Sequence, residues 1–249
     1  MRSPNILINA YVAQIRLSIR YSPLSARKTH KPMQEFTLSQ IIINLLIATK
    51  WTIALSAIAF VGGGIVGFIV MVMRISPNPI IKSISLIYIE FFEATPLLMQ
   101  LFLVFFGLSI LLGLNLSAWV AAAIALTTYS SAFLADIWRG SVEAVPSGQW
   151  DASRALGLSY FKQLQKVVLP QAVRMSIPPT VGFAVQVVKG TSLASVIGFI
   201  ELTRAASSIS NVTFQPFLVY SLAALIYFCL CFPLSLWSKR LEKQFSYAG

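Results

Sequence analysis

Few residues of this 249-residue chain are of types that could carry out chemistry. His30 is the only histidine, which excludes histidine-based catalytic triads and histidine clusters that hold metal ions. Cys229 and Cys231 lie inside a long apolar run, where cysteine packs as a small apolar residue and no disulfide framework is indicated. The chain also has no Walker-type glycine-rich loop for nucleotide phosphates. The sequence therefore predicts no catalytic residue, no metal site and no directly bound cofactor.

The polar stretch 139–166 contains the clearest local pattern and is a candidate docking surface. Ser147 is a favoured N-cap residue and Gly157 a favoured C′ residue, which predicts a helix of about two and a half turns between them. Asp151 lies early in this helix, where the helix dipole favours a negative charge. Ser159 can cap a second helix that leads into the next apolar segment. The pattern predicts a short, rigid helix lying across one face of the membrane domain.

The elements that position this stretch are apolar segments long enough to cross a membrane. Hydrophobic residues make up 57% of the chain and charged residues 11%, whereas a soluble domain carries about 25% charged residues. A membrane helix needs roughly 20 apolar residues to cross a hydrocarbon core of about 30 Å. The predicted fold class is therefore all-α, a polytopic membrane protein of about five transmembrane helices. The spans are expected near residues 51–73, 95–112, 117–136, 169–188 and 214–238.

Positive charges near the ends of the spans predict the orientation. With the C-terminus inside, the inner loops hold Arg74, Arg139, Lys162 and Lys166 among others, and the C-terminal tail adds more. The basic residues of the first 30 positions would lie outside and, when counted, make the two sides equal. Charges far from a span count less, so the predicted orientation has the C-terminus inside and the N-terminus outside. The formal net charge of +11 is carried by residues that flank apolar spans, so anionic lipid headgroups are the expected partner rather than nucleic acid.

Two segments outside the spans have their own character. An N-terminal basic extension, residues 1–38, is expected to precede a transmembrane domain at residues 39–249. The extension could be an interfacial amphipathic helix, a disordered tail, or a segment upstream of a translation start at Met33. Residues 80–93 predict an amphipathic helix at the inner surface of the membrane.

Glycine and proline predict two features within the spans. Gly62, Gly63, Gly64 and Gly67 permit a close helix neighbour at the first span. The pair Pro178-Pro179 predicts a kink in the fourth span, which would suit a gate and would equally suit simple packing.

The residues Asp151-Ala152-Ser153, then Gly157, then Leu169-Pro170 resemble the EAA loop of ABC-importer permeases. Every spacing of that pattern fits, while Asp151 stands in place of glutamate and Ser153 in place of the second alanine. In the family this loop forms a cytoplasmic coupling (EAA) helix that sits in a cleft of a separate ATPase subunit. The resemblance implies that contact with an ATPase is made by Gln149, Trp150, Asp151, Ala152, Ser153, Arg154, Ala155 and Gly157.

A second resemblance narrows the branch of that family. Residues 88–100 are similar to the segment before the second span of polar amino-acid permeases of the histidine, glutamine and arginine type. Glu93 and Ala94 replace the Arg-Gly pair of that pattern. Residues 188–204 are also similar to this branch, with Gly190 where an acidic residue is common.

The resemblance implies a multi-pass permease subunit in the bacterial inner membrane, with the coupling loop and the C-terminus in the cytoplasm. It would translocate an amino acid delivered by a periplasmic or surface substrate-binding protein. The implied partners are two ATP-binding subunits that use the ATP, a second permease chain that is the same or homologous, and the lipid bilayer. The alternatives are a permease for another small polar solute, a passive channel and an intramembrane enzyme, although the spans offer no histidine and no paired carboxylates.

A path for an amino acid must offer polar groups, because moving a zwitterion through hydrocarbon is very costly. Polar side chains in or beside the spans are few. Each of them alone could also make an interhelical hydrogen bond instead of binding a solute. The candidate path residues are Glu93, Thr95, Gln100, Gln186, Ser192 and Glu201.

Overall fold

The computed structural model describes residues 37–246, so the interpretations of the N-terminal extension fall almost entirely outside the described residues. Every regular element in this part of the chain is helical, which confirms the predicted fold class. These elements include two π-helical turns, at Leu103–Gly107 and Leu164–Val168, and a 3₁₀ turn at Thr191–Ser195. The helices are α1 (Leu38–Arg74), α2 (Pro79–Ala94), α3 (Leu97–Leu112), α4 (Ala118–Glu143), α5 (Ser147–Ala155), α6 (Tyr160–Gln163), α7 (Leu169–Gly190), α8 (Leu202–Thr213) and α9 (Pro216–Ser246).

Three of the described helices, α1, α4 and α9, are long and apolar enough to cross a membrane on their own. The pair α2 and α3 is apolar enough when taken together, but it is bent by 103° and is therefore a broken span or a re-entrant segment. α7 lies at the predicted fourth span and is less apolar than these helices. The prediction of about five spans is compatible with α1, α3, α4, α7 and α9.

The first and last helices extend beyond the predicted spans. α1 begins at Leu38 rather than at residue 51, and α9 continues to Ser246 rather than ending at residue 238. The prediction took the charge-free run as the helix, but lysine, arginine and glutamate are good helix formers and do not end one. The added turns of α1 are used in packing, since Ile41 and Leu45 are buried against α8 and α9.

Glycines bring α1 and α4 into close contact, as predicted. A Cβ atom added at Gly63 would lie 2.5 Å from Ser130 Cβ, and one added at Gly67 would lie 2.7 Å from the carbonyl oxygen of Ser131. Such distances leave no room for a side chain, so the two helices can approach only where glycine is present. The apolar core formed by α1, α3, α4 and α7 surrounds this contact.

α7 extends through both Pro178 and Pro179 as one helix. It packs along α9, where the Ser238 hydroxyl donates a hydrogen bond to the carbonyl oxygen of Pro178 over 2.9 Å. A Cβ added at Gly182 would lie 3.2 Å from the same hydroxyl oxygen, so glycine favours this close approach. The two helices are therefore joined beside the proline pair.

Candidate functional site

The predicted docking helix is α5, a helix of nine residues between α4 and α6. It starts one residue earlier than the sequence pattern suggested. Pro146 is the N-cap and Ser147 is already helical, without a side-chain capping hydrogen bond. The prediction that Ser147 is the N-cap is therefore wrong. The fixed φ of proline suits the extended N-cap conformation, and the carbonyl oxygen of Pro146 accepts a hydrogen bond from Gln149 N over 2.9 Å.

The end of α5 is built as predicted. Gly157 has a φ of +71°, a left-handed conformation that only glycine adopts without steric cost. The amide of Gly157 donates to the carbonyl of Arg154 over 2.9 Å, and the amide of Leu158 donates to that of Ser153 over 3.2 Å. These two bonds form a Schellman motif, which ends the helix and turns the chain sharply.

One face of α5 is anchored to the helices around it. Ser153 is buried, and its hydroxyl donates to the carbonyl oxygen of Trp150 over 2.8 Å. The Trp150 ring stacks on Tyr160 with centroids 6.1 Å apart. The Tyr160 hydroxyl donates to the carbonyl oxygen of Ile75, just after α1, over 3.2 Å. The position of α5 is thus tied to the end of α1.

The other face of α5 is free within the described chain. Asp151 and Arg154 lie 3.6 Å apart but are about 70% exposed, so their ion pair contributes little stability. Leu156, which follows the helix, is 79% exposed. Leu156 thus adds an apolar side chain at the end of this exposed face. The exposed residues of the predicted set are Gln149, Asp151, Ala152, Arg154, Ala155 and Gly157, whereas Trp150 is half-buried and Ser153 buried.

Three of the candidate path residues lie at the bend between α2 and α3. Glu93 is exposed, Thr95 is half-buried and Gln100 is 4% exposed. The Gln100 amide nitrogen donates to the carbonyl oxygens of Phe92 over 2.8 Å and of Thr95 over 3.0 Å. These carbonyls lack helical partners because α2 ends there. Gln100 therefore stabilises the bend.

The other three candidates lie at the far end of α7 and beyond it. Gln186 is exposed on α7, and the Ser192 hydroxyl donates locally to the carbonyl oxygen of Lys189 over 2.6 Å. Glu201 is fully buried and caps α8. The two groups of candidates flank one packing contact, because a Cβ added at Gly190 would lie 3.1 Å from Leu97 Cδ2 at the start of α3.

Two sets of contacts were not predicted from the sequence. Arg139 pairs with Asp136 over 2.7 Å and also with Glu143, near the C-terminal end of α4. Their helical spacing of three and four residues was a readable signal. Tyr227, in contrast, contacts Glu201 from 26 positions away, and nothing in the local sequence indicates this pairing.

Comparisons with known proteins agree with this geometry. A family model described as "Binding-protein-dependent transport system inner membrane component" matches residues 59–247. The chain is 32% identical to the probable amino-acid ABC transporter permease protein YckA of Bacillus subtilis, over 79% of this chain and 87% of that protein. It is 36% identical to the probable glutamine ABC transporter permease protein GlnM of the same organism, over 78% of this chain and 89% of that protein.

A solved structure has the same fold. A crystal structure titled as an amino acid ABC transporter with histidines matches with a TM-score of 0.80 and 32% identity. The match covers 85% of this chain and 99% of that one. This chain therefore belongs to the family of inner-membrane components of binding-protein-dependent transport systems, the membrane-spanning permease subunits of ABC importers.

Proposed function

We propose that this chain carries a polar amino acid across the membrane together with two ATP-binding subunits, a second permease chain and a substrate-binding protein. The observation that carries the proposal is α5, a helix with one anchored face and one exposed face on which Ala152 and Ala155 lie among polar side chains. Relatives named as amino-acid and glutamine permeases support an amino acid as the solute.

In this proposal α5 is the coupling helix. Its exposed face docks on an ATPase subunit, which uses the ATP. Closure of the ATPase pair would move α5, and the contacts of Trp150 and Tyr160 would pass that movement to Ile75 at the end of α1. The spans would then tilt between inward-open and outward-open states.

The solute would pass between the two groups of candidate path residues. Glu93 and Gln186 are exposed and offer polar atoms to a solute. The Gln100 amide nitrogen and the Glu201 carboxylate are already hydrogen-bonded within the chain. Thr95 and Ser192 are partly buried and complete the proposed path.

Reconstitution into vesicles tests the proposed function. Vesicles that contain the permease and its ATPase should take up labelled arginine, glutamine or glutamate only when ATP and a binding protein are supplied. Flux without ATP would indicate a passive channel instead. ATP-driven uptake of a different small polar solute would support the role as a permease and replace the amino acid as the proposed solute.

The orientation follows from the basic residues around α5 and in the C-terminal tail, which favour the cytoplasmic side. We expect a cysteine placed at Gln149, in a background with Cys229 and Cys231 replaced by alanine, to resist a membrane-impermeant thiol reagent in intact cells. A cysteine at Asn115, exposed between α3 and α4, should react and serves as the control. The reverse labelling pattern would invert the orientation.

Replacing Glu93 by arginine should change which amino acid is preferred. The charges of Asp136 and Arg139 act on Glu93, and Arg139 is already paired with two acids. The substitution changes the local charge by two units and should shift the ratio of arginine to glutamate uptake by about fivefold toward glutamate. Uptake of each amino acid at low concentration measures the ratio, with Glu93→Gln as an intermediate control. An unchanged ratio of arginine to glutamate uptake in Glu93→Arg would mean that Glu93 is a solvated surface residue without influence on the solute.

A further inference from the structure

Glu201 is a fully buried carboxylate at the start of α8. Its Oε1 accepts a hydrogen bond from the amide of Arg204 over 2.8 Å. Its Oε2 accepts one from the amide of Thr203 over 2.9 Å and one from the hydroxyl of Tyr227 over 2.8 Å. Within residues 37–246 no lysine or arginine side chain forms an ion pair with it. The carboxylate is therefore held entirely by neutral hydrogen-bond donors.

These donors come from two helices. A third helix, α1, is bonded to Leu202, the residue after Glu201. Thr203 and Arg204 belong to α8, and Tyr227 belongs to α9. The amide of Leu202 donates to the Thr52 hydroxyl oxygen of α1 over 3.1 Å. The Leu202–Thr52 bond is buried and the three bonds to Glu201 are partly buried, and a lost partner costs more there than at the surface. We call the set Glu201, Thr203, Tyr227 and Thr52 the Glu201 junction.

The geometry of the junction argues against a solute at this carboxylate. Three of its roughly four acceptor positions are occupied, and the side chain is 0% exposed. A solute could reach it only after α8 had separated from α9. Glutamate is also not among the residues favoured at an N-cap, so capping alone does not account for it.

We propose that Glu201 is a positioning residue, whose carboxylate holds α8 against α9, next to the Leu202–Thr52 bond that ties α8 to α1, and so sets the geometry of the transport path. The inference rests on the proposed function, and it assigns Glu201 to the turnover of the transporter rather than to solute binding. Glutamine is a poor substitute, because its NH₂ group would face the amide of Thr203, another donor. Phenylalanine in place of Tyr227 removes one of the three donors and leaves the carboxylate intact.

Uptake kinetics in vesicles test this role, with labelled glutamine, arginine and glutamate as the probes. Glu201→Gln should lower the maximal rate per assembled transporter by about tenfold, and Tyr227→Phe by about fivefold, as expected for hydrogen bonds to a buried charge. The KM should stay within about twofold of the wild type in both, since a positioning residue does not touch the solute. The double variant should match Glu201→Gln, because both changes break the same junction. Ser208→Ala, on the exposed face of α8, should behave as the wild type.

A raised KM with an unchanged maximal rate would make Glu201 a solute ligand and overturn the inference. Additive effects of Glu201→Gln and Tyr227→Phe on the maximal rate would also overturn it. If the Glu201→Gln variant does not assemble, the uptake kinetics of Tyr227→Phe test the inference alone. Wild-type kinetics in Tyr227→Phe would overturn it.

A distance measurement tests the junction without transport. Spin labels at Ser208 of α8 and Ser221 of α9, in the background with Cys229 and Cys231 replaced by alanine, should give a narrow distance distribution that widens in Tyr227→Phe. An unchanged distribution would contradict the inference. Failure of wild-type vesicles to take up any amino acid would contradict only the proposed function.

Discussion

Ala152→Arg should give a protein that inserts into the membrane but binds its ATPase subunit poorly. Ala152 lies on the exposed face of α5, away from the buried Ser153 and the Trp150–Tyr160 stack, so folding does not depend on it. Arginine would add a long charged side chain at the centre of the proposed contact. Substitutions at such centres cost about 2 kcal/mol or more, which corresponds to about a thirtyfold loss of affinity. Binding-protein-stimulated hydrolysis and uptake should fall together.

Co-purification with the ATPase and stimulated hydrolysis measure this effect, and Ala152→Ser is the control. Serine adds one oxygen atom at the same position and should retain most of the binding. Equal membrane amounts of the two variants would separate docking from folding. Normal stimulated hydrolysis in a well-expressed Ala152→Arg variant would show that α5 is not the coupling helix.

Gly63→Ala should destabilise the membrane domain by about 1–3 kcal/mol, the usual cost of overpacking a core. The new Cβ would lie 2.5 Å from Ser130 Cβ and 3.2 Å from the backbone of Ser130 and Ser131, so α1 and α4 would have to move apart. The loss should appear as a lower midpoint of thermal unfolding in detergent and a smaller amount of folded protein in the membrane.

The adjacent glycine provides the control. A Cβ added at Gly64 would meet only the Trp138 ring, at an ordinary contact distance of 3.8 Å. Gly64→Ala should therefore be neutral or slightly stabilising, because alanine is a better helix former by about 1 kcal/mol. Equal stabilities of Gly63→Ala and Gly64→Ala would mean that α1 and α4 do not pack as the structure has them.

The sequence predicted those features that depend on neighbours along the chain. The end of α5 was predicted because Gly157 is the residue that a left-handed turn requires. A close helix contact at the glycines of α1 was predicted because small residues let a neighbouring helix approach, but the sequence did not identify α4 as that neighbour. The start of α5 was predicted one residue late, since Pro146 and Ser147 can both precede a helix and local preference does not choose between them.

Features that depend on distant residues could not be read in this way. Gln100 was a candidate path residue, but its amide nitrogen stabilises a bend that no local pattern indicated. Glu201 was also a candidate, and its burial depends on Tyr227 and on the helix that carries Thr52. A polar residue near a span satisfies its hydrogen bonds with whatever the fold brings to it, and the sequence alone does not supply that partner.

α1 connects two sites that lie far apart in the protein. It is one unbroken helix of 37 residues, in which Thr52 of the Glu201 junction lies in the first half and Ile75, which accepts the Tyr160 hydrogen bond, directly follows the C-terminal end. At 1.5 Å per residue these two points are about 35 Å apart, so a tilt of about 5° moves one by about 3 Å relative to the other. α1 can thus act as a lever, so that a small displacement of Ile75 next to α5 moves Thr52, which is bonded to the start of α8.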